Sequence, residues 1–188
     1  MPKVPHHGGR YFIQWVILCC ILLPLTSAAS HLIAVEIRAK PINCSSRTYE
    51  ITLIGYVSSA SAVNFGGDDN DFLFFGDGDS LHVSEIEDVI IDPALQIGRV
   101  EFKVTHTYAA TGQYILSYRE RNRNDGILNM EDSGLTVFYT ESSITISDGH
   151  CDSSPHLTVP PVDRACSGVA YYHNPGTIDP DDDSLSFS

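Results

Sequence analysis

Apolar and polar residues alternate through the middle of this chain, which is the period of a β-strand with one buried face. In residues 99–105, for example, Val100, Phe102 and Val104 alternate with Glu101 and Lys103. No window shows a sustained helical period with caps. We predict strands, separated by turns rich in Gly, Asn and Asp, at residues 32–39, 48–57, 71–75, 99–105, 113–121 and 137–147, with one or two edge segments in 81–91.

Short strands at this spacing are typical of an antiparallel β-sandwich, so the predicted fold class is all-β and Ig-like. We assign residues 30–150 to this domain, because about 120 residues can bury a single adequate core. Prolines at 155, 160 and 161 then interrupt the chain. Proline cannot occupy a central strand, so we expect residues 151–188 to begin a second Ig-like or cadherin-like module, truncated after its first strands.

Two motifs are expected at one end of the sandwich. The stretch 75–78 reads Phe-Gly-Asp-Gly, typical of a tight turn because glycine adopts a positive φ at no steric cost. Downstream, Tyr114 follows the turn at Gly112, and a Tyr in this position can hydrogen-bond back to nearby backbone as a tyrosine corner. A role for His106 as a catalytic base would need a partner that the sequence does not identify. Eight residues are therefore predicted to be structural: Phe75, Gly76, Asp77, Gly78, His106, Tyr108, Gly112 and Tyr114.

These motifs resemble the signature of the PKD (polycystic kidney disease) domain, an Ig-like β-sandwich. That signature is an aromatic-Gly-Asp-Gly turn, then His-x-Tyr, then Gly-x-Tyr leading into a strand. Here Phe75 stands where the family usually has Trp, and the gap between the two halves is longer than usual. The resemblance implies a PKD-like fold for residues 30–150.

The N-terminus has the three-part layout of a secretory signal peptide. Residues 1–10 contain Lys3 and Arg10 and no acid, residues 11–25 are apolar, and small residues follow at 26–29. The apolar run is about 15 residues, short of the roughly 20 that span a bilayer as a helix. We expect residues 1–29 to be cleaved, which leaves a secreted or cell-surface chain with no membrane span; the alternative is a retained anchor.

Export changes the interpretation of the cysteines, because disulfides persist outside the cytoplasm. Cleavage removes Cys19 and Cys20 and leaves Cys44, Cys151 and Cys166. A Cys151–Cys166 disulfide would close a short loop, and a bridge from Cys44 to either partner is the alternative. No Cys-x-x-Cys or matching His spacing indicates zinc.

Aspartates alternate near the end of the chain, at Asp179, Asp181 and Asp183. Carboxylates in this arrangement suit calcium, a hard cation that prefers oxygen ligands. The stretch resembles the Asp-x-Asp-Gly-Asp-x-Leu motif of cadherin-like repeats, although Asp182 stands where that motif has Gly. Calcium is the one predicted cofactor, and a solvated acidic loop is the alternative.

The charge balance bears on partners. With 24 acidic against 11 basic residues, the chain has a formal net charge of −13. We therefore predict no nucleic-acid partner, because binding a phosphate backbone needs clustered Lys and Arg. Three arginines do occur at residues 119–123, which predicts either local ion pairs or a contact site for a small anion or glycan. No nucleophile motif such as Gly-x-Ser-x-Gly or His-Glu-x-x-His is present, so we do not predict an enzyme.

Beyond the PKD signature, most of the chain resembles the exported surface proteins of Bacteroidetes that carry PKD and Ig-like repeats and often end in a gliding-motility-associated C-terminal domain. The matching segments are residues 30–31, 36–37, 48–50, 106–108, 118–126, 160–166, 173–176 and 179–180. The resemblance implies type IX secretion and a non-catalytic module that acts in adhesion or as a spacer, next to further repeats and an extracellular glycan or protein partner. The alternative is an accessory domain of a secreted glycan- or protein-degrading enzyme.

Overall fold

A computed structural model of the chain describes residues 32–61, 63–121, 123–161, 168–172, 174 and 176–186. Almost all regular structure in these residues is β-strand, with one 3₁₀ turn at Ser133–Leu135. The strands are β1 (Leu32–Asn43), β2 (Thr48–Ser58), β3 (Phe72–Phe74), β4 (Ser80–His82), β5 (Val89–Asp92), β6 (Ile97–Thr107), β7 (Gly112–Glu120), β8 (Phe138–Ile146), β9 (His156–Leu157) and β10 (Thr177–Ile178). The all-β prediction is confirmed.

Two four-stranded antiparallel sheets form the sandwich. One has the strand order β1-β2-β6-β5 and the other the order β4-β3-β7-β8. This division is the Ig arrangement, in which the first two strands pair with two later ones and the third lies in the opposite sheet with the last two. The predicted edge segments of residues 81–91 are β4 and β5, one in each sheet, and β5 ends at Asp92 just before Pro93.

Alternation along the strands builds the core between the two sheets. Every second residue of β2 and β7 points inward, as Tyr49, Ile51 and Leu53 do on β2 and Leu116 and Tyr118 on β7, all nearly inaccessible to solvent. Burying an apolar side chain of this size stabilises the fold by about 1.5–3 kcal/mol. The inward positions therefore supply the main driving force for the fold.

Of the disulfide pairings that the sequence left open, the structure forms the alternative from Cys44 and not Cys151–Cys166. Cys151 is bonded to Cys44, and their Cα atoms lie 5.6 Å apart across a sequence separation of 107 residues. The reason is that the β1–β2 loop and the segment that leaves β8 meet at one end of the sandwich. A loop of about this length corresponds to about 4.7 kcal/mol in the chain-entropy model. Cys166 lies outside the described residues.

The chain that follows Cys151 runs alongside β1. The Ala39 N–H donates to the Ser154 hydroxyl over 2.7 Å, and the Ser154 N–H donates to the Ala39 carbonyl over 2.9 Å. Further along, β9 and β10 pair as a separate two-stranded antiparallel sheet. The second module predicted for this segment stays a prediction.

No helix among the described residues is long and apolar enough to cross a membrane. The segment predicted to be a signal peptide lies outside the described residues.

Candidate functional site

The aromatic residues of the predicted structural set pack together in one cluster. The Phe75 ring stacks on the His106 ring, with centroids 4.1 Å apart and planes 10° from parallel. The edge of His106 meets Tyr108 at 4.7 Å, and Tyr108 contacts Tyr114 at 4.4 Å. We call Phe75, His106, Tyr108 and Tyr114 the signature cluster. Ring pairs of this kind stabilise beyond their buried area, so the cluster fixes the β3–β4 turn to β6 and β7.

Both tyrosine hydroxyls of the signature cluster bond to backbone. Tyr108 is buried and donates to the Phe75 carbonyl over 3.2 Å. Tyr114 donates to the Ala110 carbonyl over 3.0 Å, which is the hydrogen bond that defines a tyrosine corner. Each polar atom that the cluster carries inward is therefore satisfied within the sandwich.

Gly76 permits the turn to lie directly on β7. Its φ is +86°, and a Cβ at this position would lie 2.6 Å from the backbone nitrogen of Ile115. Both the backbone conformation and the contact exclude a side chain. Gly78 also has a positive φ, of +104°, but its position is open to solvent. Of the two turn glycines, Gly76 is thus the one that packing requires.

The only ionisable pair of the signature cluster joins His106 to Asp77. The His106 Nε2 and an Asp77 carboxylate oxygen lie 2.7 Å apart. Burial opposes ionisation of Asp77, but hydrogen bonds from His106 and from the Asp79 N–H outweigh it and lower the pKa of Asp77. Among the described residues, no hydroxyl or thiol hydrogen-bonds to the His106 ring. This His–Asp pair therefore fastens the turn to β6, and the structure supplies it with no nucleophile.

Two groups of side chains among the described residues could hold a metal ion. Their ligand atoms lie within 4.8 Å of one another, and the groups are Asp77, Asp79 and His106, and Asp68, Asp71 and Glu120. The carboxylates predicted for calcium, at residues 179, 181 and 183, do not form such a group. Exposed acids of this kind are common without an ion, so geometry alone assigns no metal.

The predicted calcium loop is organised by backbone hydrogen bonds. Asp179 accepts from the N–H groups of Asp181 and Asp183, at 2.9 and 3.3 Å, and Asp181 accepts from the Ser153 N–H at 2.6 Å. Asp182 adopts φ +62°, so the turn forms although the glycine of the cadherin-like motif is absent. Burial, and then the charges of this loop, raise the pKa of Asp152. Calcium binding here stays a prediction.

Two buried carboxylates, Asp71 of the acidic loop 67–71 and Glu120 of β7, meet in the structure, and the sequence did not predict that they would pair. Asp71 and Glu120 are 2% and 1% exposed, and their carboxylates lie close together. Burial, and then the charge of Glu120, raise the pKa of Asp71 to about 6. The Tyr118 hydroxyl donates to Glu120 over 2.7 Å. The alternation along β7 indicates that Glu120 is buried, because it follows the inward-facing Leu116 and Tyr118 at the next alternate position.

The predicted ion pairs of the arginine run are absent among the described residues. Arg119 lies over the Tyr139 ring at 5.4 Å, and Arg123 lies over the Phe138 ring at 4.6 Å. No salt bridge between described residues includes Arg119, Arg121 or Arg123. Of the two predictions for this run, the contact site for an anion or glycan is the one that these contacts do not contradict.

Comparison with protein-family models, with curated proteins and with solved structures found no match to this chain. Any statement about function must therefore come from the residues and their geometry.

Proposed function

We propose that this chain is a non-catalytic extracellular β-sandwich module of a large secreted or cell-surface protein, acting in adhesion or as a structural spacer. The observation that carries the proposal is the Cys44–Cys151 disulfide. Such bonds persist in oxidising compartments and are rare in the cytosol. The bond also joins the segment after β8 to the β1–β2 loop. A load applied beyond Cys151 therefore reaches β1 and β2 through the disulfide, in addition to β8 through the main chain.

The signature cluster supports a structural rather than a catalytic role. His106 carries the one imidazole that faces an acid at hydrogen-bond distance among the described residues, and its ring is stacked on Phe75. A His–Asp hydrogen bond also occurs in catalytic triads, where the other ring nitrogen acts as the base towards a nucleophile. Among the described residues, no hydroxyl or thiol hydrogen-bonds to His106, so the triad arrangement is incomplete. The resemblance to PKD-containing surface proteins of Bacteroidetes points to the same role and belongs to this proposal.

The N-terminus of the exported chain and the oxidation state of its cysteines test the proposal directly. The tagged full chain is expressed in a Bacteroidetes host and recovered from the cell surface and the medium. We expect a free N-terminus near Ser30, and we expect Cys44 and Cys151 to stay unlabelled by a thiol reagent in denaturant until reductant is added. Cys44→Ser is the matched control, since it frees Cys151 for labelling. A reduced, cytoplasmic chain with Met1 intact would overturn the proposal, as would turnover of glycan or peptide substrates.

A further inference from the structure

The outer face of the β4-β3-β7-β8 sheet carries aromatic residues where a solvent-facing strand usually has polar ones. Phe74 is 41% exposed and Tyr139 is 46% exposed. Phe72 lies between Phe74 and His82, with ring centroids 6.3 and 5.3 Å away. A contiguous patch of exposed aromatic side chains indicates an interaction site, whereas single scattered ones do not.

Strand register aligns these side chains across the whole sheet. Phe72 is paired with His82, and Arg119 is paired with Tyr139. Because Leu73 lies opposite Tyr118, the next outward pair along β3 and β7 is Phe72 and Arg119. His82, Phe72, Arg119 and Tyr139 thus form one row over four strands, which we call the aromatic row. Three inter-strand spacings make it about 14 Å long.

Within the part of the chain that the structure describes, Arg119 and Arg121 have no ionic partner. Elsewhere in the described part of the chain, Arg38, Arg47 and Arg99 each form a salt bridge to an acid. Arg119 and Arg121 form none, although the chain has more than twice as many acidic as basic residues. Two exposed guanidinium groups left unpaired in so acidic a protein are placed to meet an anion from outside it.

A cavity of about 330 Å³ joins the arginines to the aromatic row. It is lined by Phe72 and Phe74 and by Arg119 and Arg121, and the buried residues Asp71 and Glu120 also border it. The accessible part of this lining combines apolar ring faces with guanidinium hydrogen-bond donors. Binding sites for small polar molecules have this composition, a mainly apolar wall with a few convergent polar groups.

A sugar carrying a carboxylate matches both accessible parts of this lining. Its C–H face is apolar and suits an exposed ring, its hydroxyl groups both donate and accept, and its carboxylate fits the planar fork of a guanidinium. Nucleic acid carries anions too, but binding its backbone needs clustered Lys and Arg, and the lining of this cavity has two arginines. A wholly apolar ligand would make no use of the two guanidinium groups.

We propose that the aromatic row, with Arg119 and Arg121, binds an oligosaccharide that contains uronic acid residues. The inference rests on the proposed function and narrows its adhesive partner to one chemical class. Arg119 would bind the sugar carboxylate, and Phe74 would stack on the apolar face of the sugar ring.

Calorimetric titration of the oxidised chain tests this inference. The probes are tetramers of galacturonate, mannuronate and guluronate, a hyaluronan tetrasaccharide, and neutral galactotetraose. We expect at least one acidic tetramer to bind at least tenfold more tightly than galactotetraose, with affinity falling as salt rises. Arg119→Ala and Phe74→Ser are each expected to weaken that binding about tenfold or more.

Controls separate the site from general charge and from folding. Lys40→Ala removes a cation from the other sheet and should leave affinity unchanged, and Arg119→Lys keeps the charge but loses the fork, so it should still weaken binding. The melting temperature of each variant shows that it is folded. Absence of binding to every acidic tetramer, equal binding of galactotetraose, an unaffected Arg119→Ala variant, or a dimer in sedimentation that Phe74→Ser dissociates would overturn the inference. None of these results changes the N-terminus or the thiol labelling, so the two proposals fail separately.

Discussion

The signature cluster and the aromatic row are built from the same kinds of residue and differ in what their polar atoms meet. In the signature cluster, His106 bonds to Asp77 and Tyr108 bonds to the backbone of Phe75. In the aromatic row, Tyr139 bonds to Glu141, but Arg119 lies over the Tyr139 ring and forms no salt bridge to a described residue. A cluster that satisfies its own polar groups serves the fold, whereas one that leaves charge unpaired is available to a ligand.

Adjacent phenylalanines place this contrast at two neighbouring positions. Phe75 is 4% exposed and belongs to the signature cluster, while Phe74 points outward beside the aromatic row. Stability and ligand binding are therefore assigned to two adjacent residues. Variants that change only one of these residues test the assignment.

The largest expected effect is that of Phe75→Ala. Truncating a buried Phe to Ala leaves a cavity and typically costs 3–5 kcal/mol, and here the stacked partner of His106 is lost as well. Phe74→Ala is the matched control, and because Phe74 is partly exposed on the outer face we expect a loss below about 1 kcal/mol. Urea unfolding, monitored by circular dichroism, measures both. Equal losses for the two variants would remove the distinction between inner and outer aromatic residues.

The pKa values of Asp71 and Asp77 are shifted in opposite directions, so the dependence of stability on pH distinguishes the two regions. The pKa of Asp71, below the aromatic row, is raised to about 6, so the folded state binds its proton more tightly than the unfolded state does. Its carboxyl therefore favours folding below pH 4, and that contribution declines as pH rises towards 6, by about 2–3 kcal/mol in total. The pKa of Asp77, in the signature cluster, is lowered, so its contribution is present above pH 4 and is lost as pH falls.

Melting temperatures between pH 3 and 7 measure these slopes. Asp71→Asn should remove the decline between pH 4 and 6 and become more stable than the parent chain at pH 7, provided that the amide fits beside Glu120. Asp77→Asn is the counterpart and should be less stable than the parent at pH 7. If Asp71→Asn keeps the same slope as the parent, the buried carboxylate pair is not the source of the pH dependence.

Features that depend on local backbone could be predicted from the sequence. The strands follow from alternation, and the β3–β4 turn follows from glycines whose positive φ other residues avoid. The tyrosine corner spans only four residues, from Tyr114 to Ala110, so it too is encoded locally.

Features that depend on distant contacts could not be predicted. The pairing of Cys44 with Cys151 is set by which loops meet at one end of the sandwich, and spacing alone favoured the nearer cysteine. The aromatic row was hidden because residues 72–75 are uniformly apolar, so their period does not say which phenylalanine points inward. The approach of Asp71 to Glu120 likewise requires the register of β3 against β7.

The smallest expected effect concerns single hydroxyl groups. Tyr108→Phe keeps the ring of the signature cluster but leaves the buried Phe75 carbonyl without its donor, which should cost about 1–2 kcal/mol. Tyr139→Phe removes a hydroxyl that bonds to Glu141 in solvent, so its melting temperature should match that of the parent chain.

Because Tyr139→Phe also keeps the ring beneath Arg119, it should retain acidic-glycan binding, whereas Tyr139→Thr should lose it. A destabilised Tyr139→Phe, or glycan binding that survives in Tyr139→Thr, would contradict the view that the outer ring serves the ligand and the inner hydroxyl serves the fold.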